Sequence, residues 1–233
     1  MHLHELAERL RSSSLYVFTT RDLAKIASVS HSSAAVYVHR MKESGLAFPI
    51  EKGKFSVSED PFVVATQLAY PSYMSFSSAL YMHGRLDQVV NSLIVVTSRG
   101  RAKAQFMGMT IEFVKLSPER VFGYRKVEKG DSYVFLADLE KAVVDSLYMP
   151  RRCPVSQALA ALEDAFDQNL LEEYAKRMGS EAVVRRTGYV LEKLGRKTQL
   201  VPTTKTPYKL NPSIRASGKW MAKWGLYVNE VVE

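Results

Sequence analysis

One segment of the chain carries side chains that could bind a polyanion. Serine hydroxyls and an imidazole cluster where a helix is predicted to begin, capped by Ser30 or Ser32, and Arg40 lies near its end. Hydroxyls beside a helix N-terminus can donate to phosphate oxygens, because the helix dipole favours negative charge there. An arginine can bind a phosphate or form two hydrogen bonds with guanine. The candidate nucleic-acid contacts on this segment are Ser30, His31, Ser32, Ser33, Val36, Tyr37 and Arg40.

Helical spacing predicts which side of this segment faces the core. Ala34, Val38 and Met41 recur at i, i+4 and i+7, which is the pattern of one apolar helix face. When that face lies inward, Ser33 and Arg40 point outward. The prediction that this helix enters a DNA groove depends on this orientation.

The elements that position this helix are predicted within residues 1–58. Their order is helix, short strand, helix, tight turn, helix and β-hairpin, with the turn at Ser28–Ser30. Gly45 ends the third helix, and Gly53 supplies the hairpin turn. This order is typical of a winged helix-turn-helix, whose third helix lies in the major groove of double-stranded DNA.

Three more basic residues are predicted to contact the DNA backbone. Arg21 lies at the start of the second helix, and Lys52 and Lys54 flank the hairpin turn. Such contacts to phosphates position a protein on a duplex without reading its base sequence. His31 and His39 lack a second pair of ligands at close spacing, so no metal site is predicted.

Basic residues are concentrated towards the two ends of the chain, whose net charge is +8. Residues 1–58 hold eight Lys and Arg against five Asp and Glu, and residues 151–233 hold fourteen against nine. Residues 59–150 are balanced. This distribution favours a polyanionic partner. Candidates for a second DNA surface in the last third are Arg185, Arg186, Arg196 and Lys197.

Residues 59–233 are predicted to form a second, mixed α/β domain. Ser58–Pro61 interrupts the helix and strand pattern and is the predicted boundary. Buried strands are predicted at 91–97, 109–114 and 133–136, and a helix is predicted at 139–148, before Pro150. Helices dominate the last third and are predicted at 156–166, 170–178 and 180–194. The predicted fold class is therefore α/β (α+β), with a winged helix-turn-helix followed by a mixed α/β domain.

Composition predicts a cytoplasmic protein with no membrane partner. No apolar run approaches the ~20 residues of a membrane-spanning helix. The first residues lack the apolar stretch of a secretory signal. A single cysteine, Cys153, excludes an internal disulfide. The neighbouring Arg152 could lower the pKa of this thiol, although no partner base is evident in the sequence.

Three later segments resemble the AbiEi family, antitoxins of bipartite toxin–antitoxin operons of phage defence. They are residues 73–84 (YMSFSSALYMHG), 139–145 (LEKAVVD) and 186–195 (RTGYVLEKLG). The resemblance implies an N-terminal DNA-binding domain that represses the protein's own operon at inverted repeats. It also implies a C-terminal domain that opposes a nucleotidyltransferase-like toxin in the type IV manner, without a stable complex.

Two other functions stay open at this point. The chain could be a stand-alone winged-helix transcription factor whose C-terminal domain senses a ligand or forms dimers. It could also be a divergent nucleotidyltransferase, because Asp138 and Glu140 have the D-x-E spacing that holds two metal ions. That site needs a Gly-Ser turn about ten residues earlier, and Gly130-Asp131-Ser132 lies too close and lacks the dipeptide. No catalytic residue and no cofactor is therefore predicted.

Overall fold

Helices and strands are interleaved along the chain in an α/β fold, seen in a computed structural model that describes residues 2–87 and 91–231. The chain divides into two units. The first comprises Met1–Met74, Asn91–Lys115 and Lys126–Phe135, and the second comprises Ser75–Val90, Leu116–Arg125 and Leu136–Glu233. The first unit therefore contains more than residues 1–58, and the domain boundary at residue 58 stays a prediction.

The first unit begins with the order of elements that the sequence predicts. These elements are α1 (Leu3–Ser12), β1 (Val17–Thr19), α2 (Thr20–Ala27), α3 (His31–Glu43), β2 (Phe48–Glu51) and β3 (Lys54–Ser56). The strands form an antiparallel sheet in the order β1-β3-β2, so the strand before α2 pairs with the hairpin. Leu6 and Leu10 of α1, Leu23 of α2 and Met41 of α3 are fully buried together with Phe18.

Caps fix where α2 and α3 begin and end. Thr19 and Asp22 form a capping box at the start of α2, each side chain accepting from the other residue's backbone N–H. Ser28 ends α2 in a left-handed conformation, and Ser30 caps α3. Gly45 follows the C-cap of α3 at φ +66°, which a glycine adopts without steric strain. The tight turn between α2 and α3 is thereby fixed by its own sequence.

A six-stranded mixed sheet forms most of the remaining first unit. Its strands are β4 (Ser72–Met74), β5 (Ser92–Thr97), β6 (Ala104–Phe106), β7 (Met109–Lys115), β8 (Tyr124–Lys129) and β9 (Ser132–Ala137), and α4 (Pro61–Gln67) precedes them. The strand order is β6-β7-β5-β4-β9-β8, with β5 and β7 parallel and β4 antiparallel to β5. The sequence predicts β5, β7 and β9, and it misses the other three strands.

The second unit is mainly helical and ends in a small sheet. Its elements are α5 (Phe76–Met82), α6 (Leu139–Tyr148), α7 (Val155–Ala160), α8 (Gln168–Arg177), α9 (Glu181–Lys193), β10 (Tyr208–Lys209), β11 (Lys219–Met221) and β12 (Leu226–Val228). Helix α6 packs against α5, α7, α8 and α9. The helix predicted at 156–166 is wrong in its second half, because α7 ends at Ala160. Among the residues that the structure describes, no helix has the length and apolar character needed to cross a bilayer.

Candidate nucleic-acid interface

Helix α3 turns one face to the core and leaves the opposite face open. Ala34 and Met41 are fully buried and Val38 is 4% exposed, so the orientation expected from the helical spacing is confirmed. Ser33 and Arg40 are exposed, and Val36 is half exposed. A valine with half of its surface in water is available for an apolar contact, such as the methyl group of thymine.

The exposed face forms a stripe along the helix. Ser33, Val36 and Arg40 lie at i, i+3 and i+7, which spans roughly 10 Å along the helix axis at about 1.5 Å per residue. Tyr37, on the flank of the stripe, is half-buried. Arg40 forms no ion pair with any described residue, whereas His39 Nε2 lies 3.4 Å from Glu43 Oε1. The guanidinium of Arg40 is therefore available to an external acceptor.

The serines at the start of α3 have different roles. Ser30 Oγ accepts from the Ser33 backbone N–H at 3.1 Å, so Ser30 acts as the helix cap. The same oxygen donates to Ser33 Oγ at 2.9 Å and lies 2.8 Å from Ser32 Oγ. Because Ser33 Oγ accepts in this arrangement, its own hydrogen can be donated to a phosphate. Ser33 and the adjacent Ser32 are better placed for ligand contact than Ser30. His31, the first residue of the helix, is exposed.

The hairpin carries one available lysine and one that is already paired. Lys52 is exposed at the turn, where Gly53 adopts φ +76°. Lys54 Nζ lies 3.0 Å from Glu51 Oε1, and Arg101 donates to Glu51 Oε2 at 2.6 Å. Burial alone raises the pKa of Glu51, but the hydrogen bonds and charges of Arg101 and Lys54 hold it below its ordinary value. The tip of the hairpin therefore carries a fixed negative charge that competes for Lys54.

Arg21 is exposed on the first turn of α2 and forms no ion pair within the described ranges. The neighbouring Asp22 is occupied by the capping box, where it accepts from the Thr19 hydroxyl at 2.7 Å. Arg21 thus keeps its charge available for a phosphate while Asp22 stabilises the helix start.

The prediction that Arg185 and Arg186 form a second DNA surface is wrong. Both side chains are buried, and their guanidinium groups donate to backbone carbonyls. Arg185 donates to Trp224 O, Gly225 O and Thr204 O, and it pairs with Glu181.

Arg186 donates to Leu147 O at 2.7 Å and to Lys209 O at 2.9 Å. Burial lowers the pKa of Arg186 to about 10, against a smaller opposing effect of Tyr208, so it stays charged at neutral pH. These arginines bind the C-terminal segment of the chain, whereas Arg196 and Lys197 are exposed.

Asp138 and Glu140 are bound by different partners in the second unit. Tyr174 donates its hydroxyl to Asp138 Oδ2 at 3.0 Å, and Arg125 Nε lies 3.7 Å from Asp138 Oδ1. Burial and Asp138 raise the pKa of Tyr174 to about 12, so this hydroxyl keeps its proton. Glu140 is buried and accepts from the Asp167 backbone N–H at 2.8 Å. Over the described ranges, no group of three or more His, Cys, Asp or Glu is placed to hold a metal ion.

Sequence reasoning missed a buried polar cluster in the second unit. Ser75 donates to Asp145 Oδ2 at 2.7 Å, and Lys141 donates to Asp145 Oδ1. All three side chains are fully buried. Lys141 and Asp145 are spaced i, i+4 on α6, which is the signal that could have indicated their pairing. The cluster thus joins residues of α5's start and of α6. Comparisons with protein-family models and with curated proteins find no match to the chain.

Proposed function

We propose that this protein is a sequence-specific double-stranded DNA-binding transcriptional regulator that reads its operator with α3. The observation that carries the proposal is the division of α3 into a buried face and an open stripe. Ala34 and Met41 hold the helix to its own core, and Arg40 is left unpaired among the described residues. A helix held in this way can enter the major groove without rearrangement of the protein.

The order of the elements supports a winged helix-turn-helix, and this arrangement implies further contacts. With α3 in the groove, Ser32 and Ser33 donate to phosphates beside the helix start, and Arg40 reads a base edge or grips a phosphate. Arg21 and Lys52 contact the sugar–phosphate backbone. The phosphate contacts supply affinity that falls with salt, whereas the contacts from α3 supply specificity.

The resemblance to AbiEi proteins supports a more specific role within this proposal. The regulator represses its own operon at an inverted repeat in the cytoplasm. It also acts as a type IV antitoxin, opposing a nucleotidyltransferase-like toxin without forming a stable complex with it. Finding a gene for such a toxin directly downstream would support this role. Finding none would favour a stand-alone regulator.

Two experiments test the proposal. Footprinting on the DNA upstream of the gene identifies the protected site, and that site is then titrated with Arg40→Ala protein. We expect Arg40→Ala to weaken operator binding by about 1–3 kcal/mol if the side chain reads a base. Lys103→Ala is the matched control. Lys103 is also exposed and has no ion pair among the described residues, and its replacement by alanine removes the same charge. Equal affinities of the two variants for the operator would refute the assignment of α3.

A further inference from the structure

The C-terminal sheet of the second unit exposes two aromatic rings side by side. Trp220 on β11 and Tyr227 on β12 are directly paired in antiparallel register. Trp220 is 47% exposed and Tyr227 is 37% exposed, with ring centroids 4.9 Å apart. Directly opposed residues on antiparallel strands point to the same face of a sheet. The two rings therefore form one aromatic surface that the described part of the chain leaves open to water.

This aromatic surface belongs to a segment with one sign of charge. Residues 193–229 contain eight Lys and Arg and no Asp or Glu. Lys205, Arg215 and Lys219 are exposed there and form no ion pair with the described residues. Lys219 directly precedes Trp220 on β11, so its side chain leaves the sheet from the face opposite the two rings. A surface with exposed aromatic rings and unpaired cations is complementary to a strand of phosphates and unstacked bases.

The surface is held in place by polar contacts within the C-terminal segment. Lys209 donates to the Ile214 and Arg215 carbonyls, and Asn229 Nδ2 donates to the carbonyls of Asn211 and Ile214. These bonds fix the loop that carries Arg215 beside the sheet. Arg215 and the two rings are therefore parts of an ordered surface.

We propose that Trp220, Tyr227 and exposed cations of this segment bind single-stranded DNA. Bases stack on the two rings, and phosphates pair with cations that the strand can reach, first of all Arg215 on the loop beside the sheet. A duplex keeps its bases stacked inside and offers no ring face to Trp220, so the surface prefers an unpaired strand. Binding at this surface is separate from duplex recognition by α3 and does not depend on it.

Fluorescence anisotropy of labelled dT20 with the full-length protein tests this proposal. We expect the double variant Trp220→Ala/Tyr227→Ala to lose at least about tenfold in affinity for dT20, because each base that stacks on a ring contributes to binding. Trp220→Phe/Tyr227→Phe keeps ring faces and should retain most of the affinity. The rings are exposed, so the Ala variant should unfold at the same temperature as the unsubstituted protein.

Intrinsic fluorescence gives a second readout that charge attraction alone would not move. The chain has two tryptophans, and Trp224 is 1% exposed, so stacking by dT20 should quench Trp220. Heparin, which is anionic but has no bases, should bind without this quenching. Arg215→Ala should reduce the slope of log K against log salt concentration for dT20 binding by about 0.7, the value for one phosphate of a single strand.

Several outcomes would overturn the proposal. The proposal fails if the Ala double variant binds dT20 as tightly as the unsubstituted protein, or if it loses affinity for dT20 and heparin equally. It also fails if the protein binds rU20 but not dT20, or if the Ala double variant loses only its binding to phosphatidylserine vesicles. Similar affinities for rU20 and dT20 support it, because stacking does not select the sugar. Operator binding should be unchanged in the Ala double variant and weakened in Arg40→Ala, so failure of either proposal is recognised separately.

Discussion

Lys54 Nζ lies 3.0 Å from Glu51 Oε1 at the base of the β2–β3 turn, and Arg101 binds the other oxygen of the same carboxylate. A DNA phosphate that approaches the hairpin must therefore compete with Glu51 for Lys54. Lys52, one residue from the turn glycine, has no such competitor among the described residues. The two lysines of the hairpin are therefore not equivalent as phosphate ligands.

Replacing Glu51 with Gln should strengthen duplex binding. The substitution removes the negative charge but keeps an oxygen that can accept from Arg101, so Lys54 is released for a phosphate. We expect the slope of log K against log salt concentration to become steeper by up to about 0.9, the value for one additional phosphate contact. Titrations at several salt concentrations measure this slope. Lys52→Ala should flatten it more than Lys54→Ala, and the reverse order would contradict the role given to Glu51.

Ser30→Ala and Ser33→Ala should separate helix capping from DNA contact. Ser30 accepts from the Ser33 N–H, so its loss should lower the free energy of unfolding by about 0.5–2 kcal/mol. Ser33 is exposed and is not the cap, so Ser33→Ala should leave stability nearly unchanged while weakening operator binding. Urea denaturation and operator titration of both variants provide the check. Equal stability losses in the two variants would contradict the assignment of Ser30 as the cap.

Gly188→Ala should destabilise the protein although it lies inside helix α9. Glycine to alanine usually stabilises a helix interior by about 1 kcal/mol. Here a methyl group would overlap the six-membered ring of Trp224, which is buried against this glycine. We therefore expect a net loss of about 1–3 kcal/mol from overpacking, measured by urea denaturation. Combining it with Trp224→Ala should give less than the sum of the two single losses, and strict additivity would contradict the contact.

Lys141→Met should lower the free energy of unfolding more than the double variant Lys141→Met/Asp145→Asn does. Burial lowers the pKa of Lys141 below its ordinary value, although Asp145 opposes this shift. Removing the ammonium leaves the Asp145 carboxylate buried, and breaking a buried pair typically costs about 3–5 kcal/mol. Asparagine at 145 carries no charge and can still accept from Ser75. Thermal or urea unfolding should therefore show partial recovery in the double variant, and additive losses would exclude this coupling.

Cys153 should be unreactive towards thiol reagents in the folded protein. Burial raises the pKa of this thiol to about 11, so the expectation that Arg152 lowers it is wrong. Because the folded pKa lies above the ordinary value of 9.0, this thiol favours the folded state below about pH 9, and that contribution is lost as pH rises towards 11. Labelling at pH 8 should proceed only after denaturation, with Cys153→Ala as the blank. Fast labelling of native protein at pH 8 would contradict the burial.

Local patterns were sufficient to predict helices in both units. The i, i+4, i+7 spacing of Ala34, Val38 and Met41 gave the correct orientation of α3, and the bounds of α6 at Leu139–Tyr148 follow from its periodicity and from Pro150. The strands β4 and β6 were missed because three residues are too few to show an alternating pattern. Strand β8 carries four charged residues and resembles a loop until its pairing is known.

Contacts between distant segments could not be predicted from the sequence. Arg185 and Arg186 resemble solvated helix charges, because the carbonyls that bind them come from residues about 20 to 40 positions away in the sequence. The pairing of Lys54 with Glu51 is local, but Arg101 joins them from 50 residues away. In both cases the availability of a cation depends on acceptors that only the folded chain supplies.

The two buried arginines of α9 also determine how the C-terminal segment meets a ligand. Their bonds to carbonyls at Thr204, Lys209 and Gly225 tie this lysine-rich stretch to a helix, whereas many basic tails order only when they bind. The chain entropy of ordering is lost during folding and does not weaken association. The aromatic surface at Trp220 and Tyr227 is therefore preorganised, and its affinity should respond to single side chains more sharply than that of a disordered polycation.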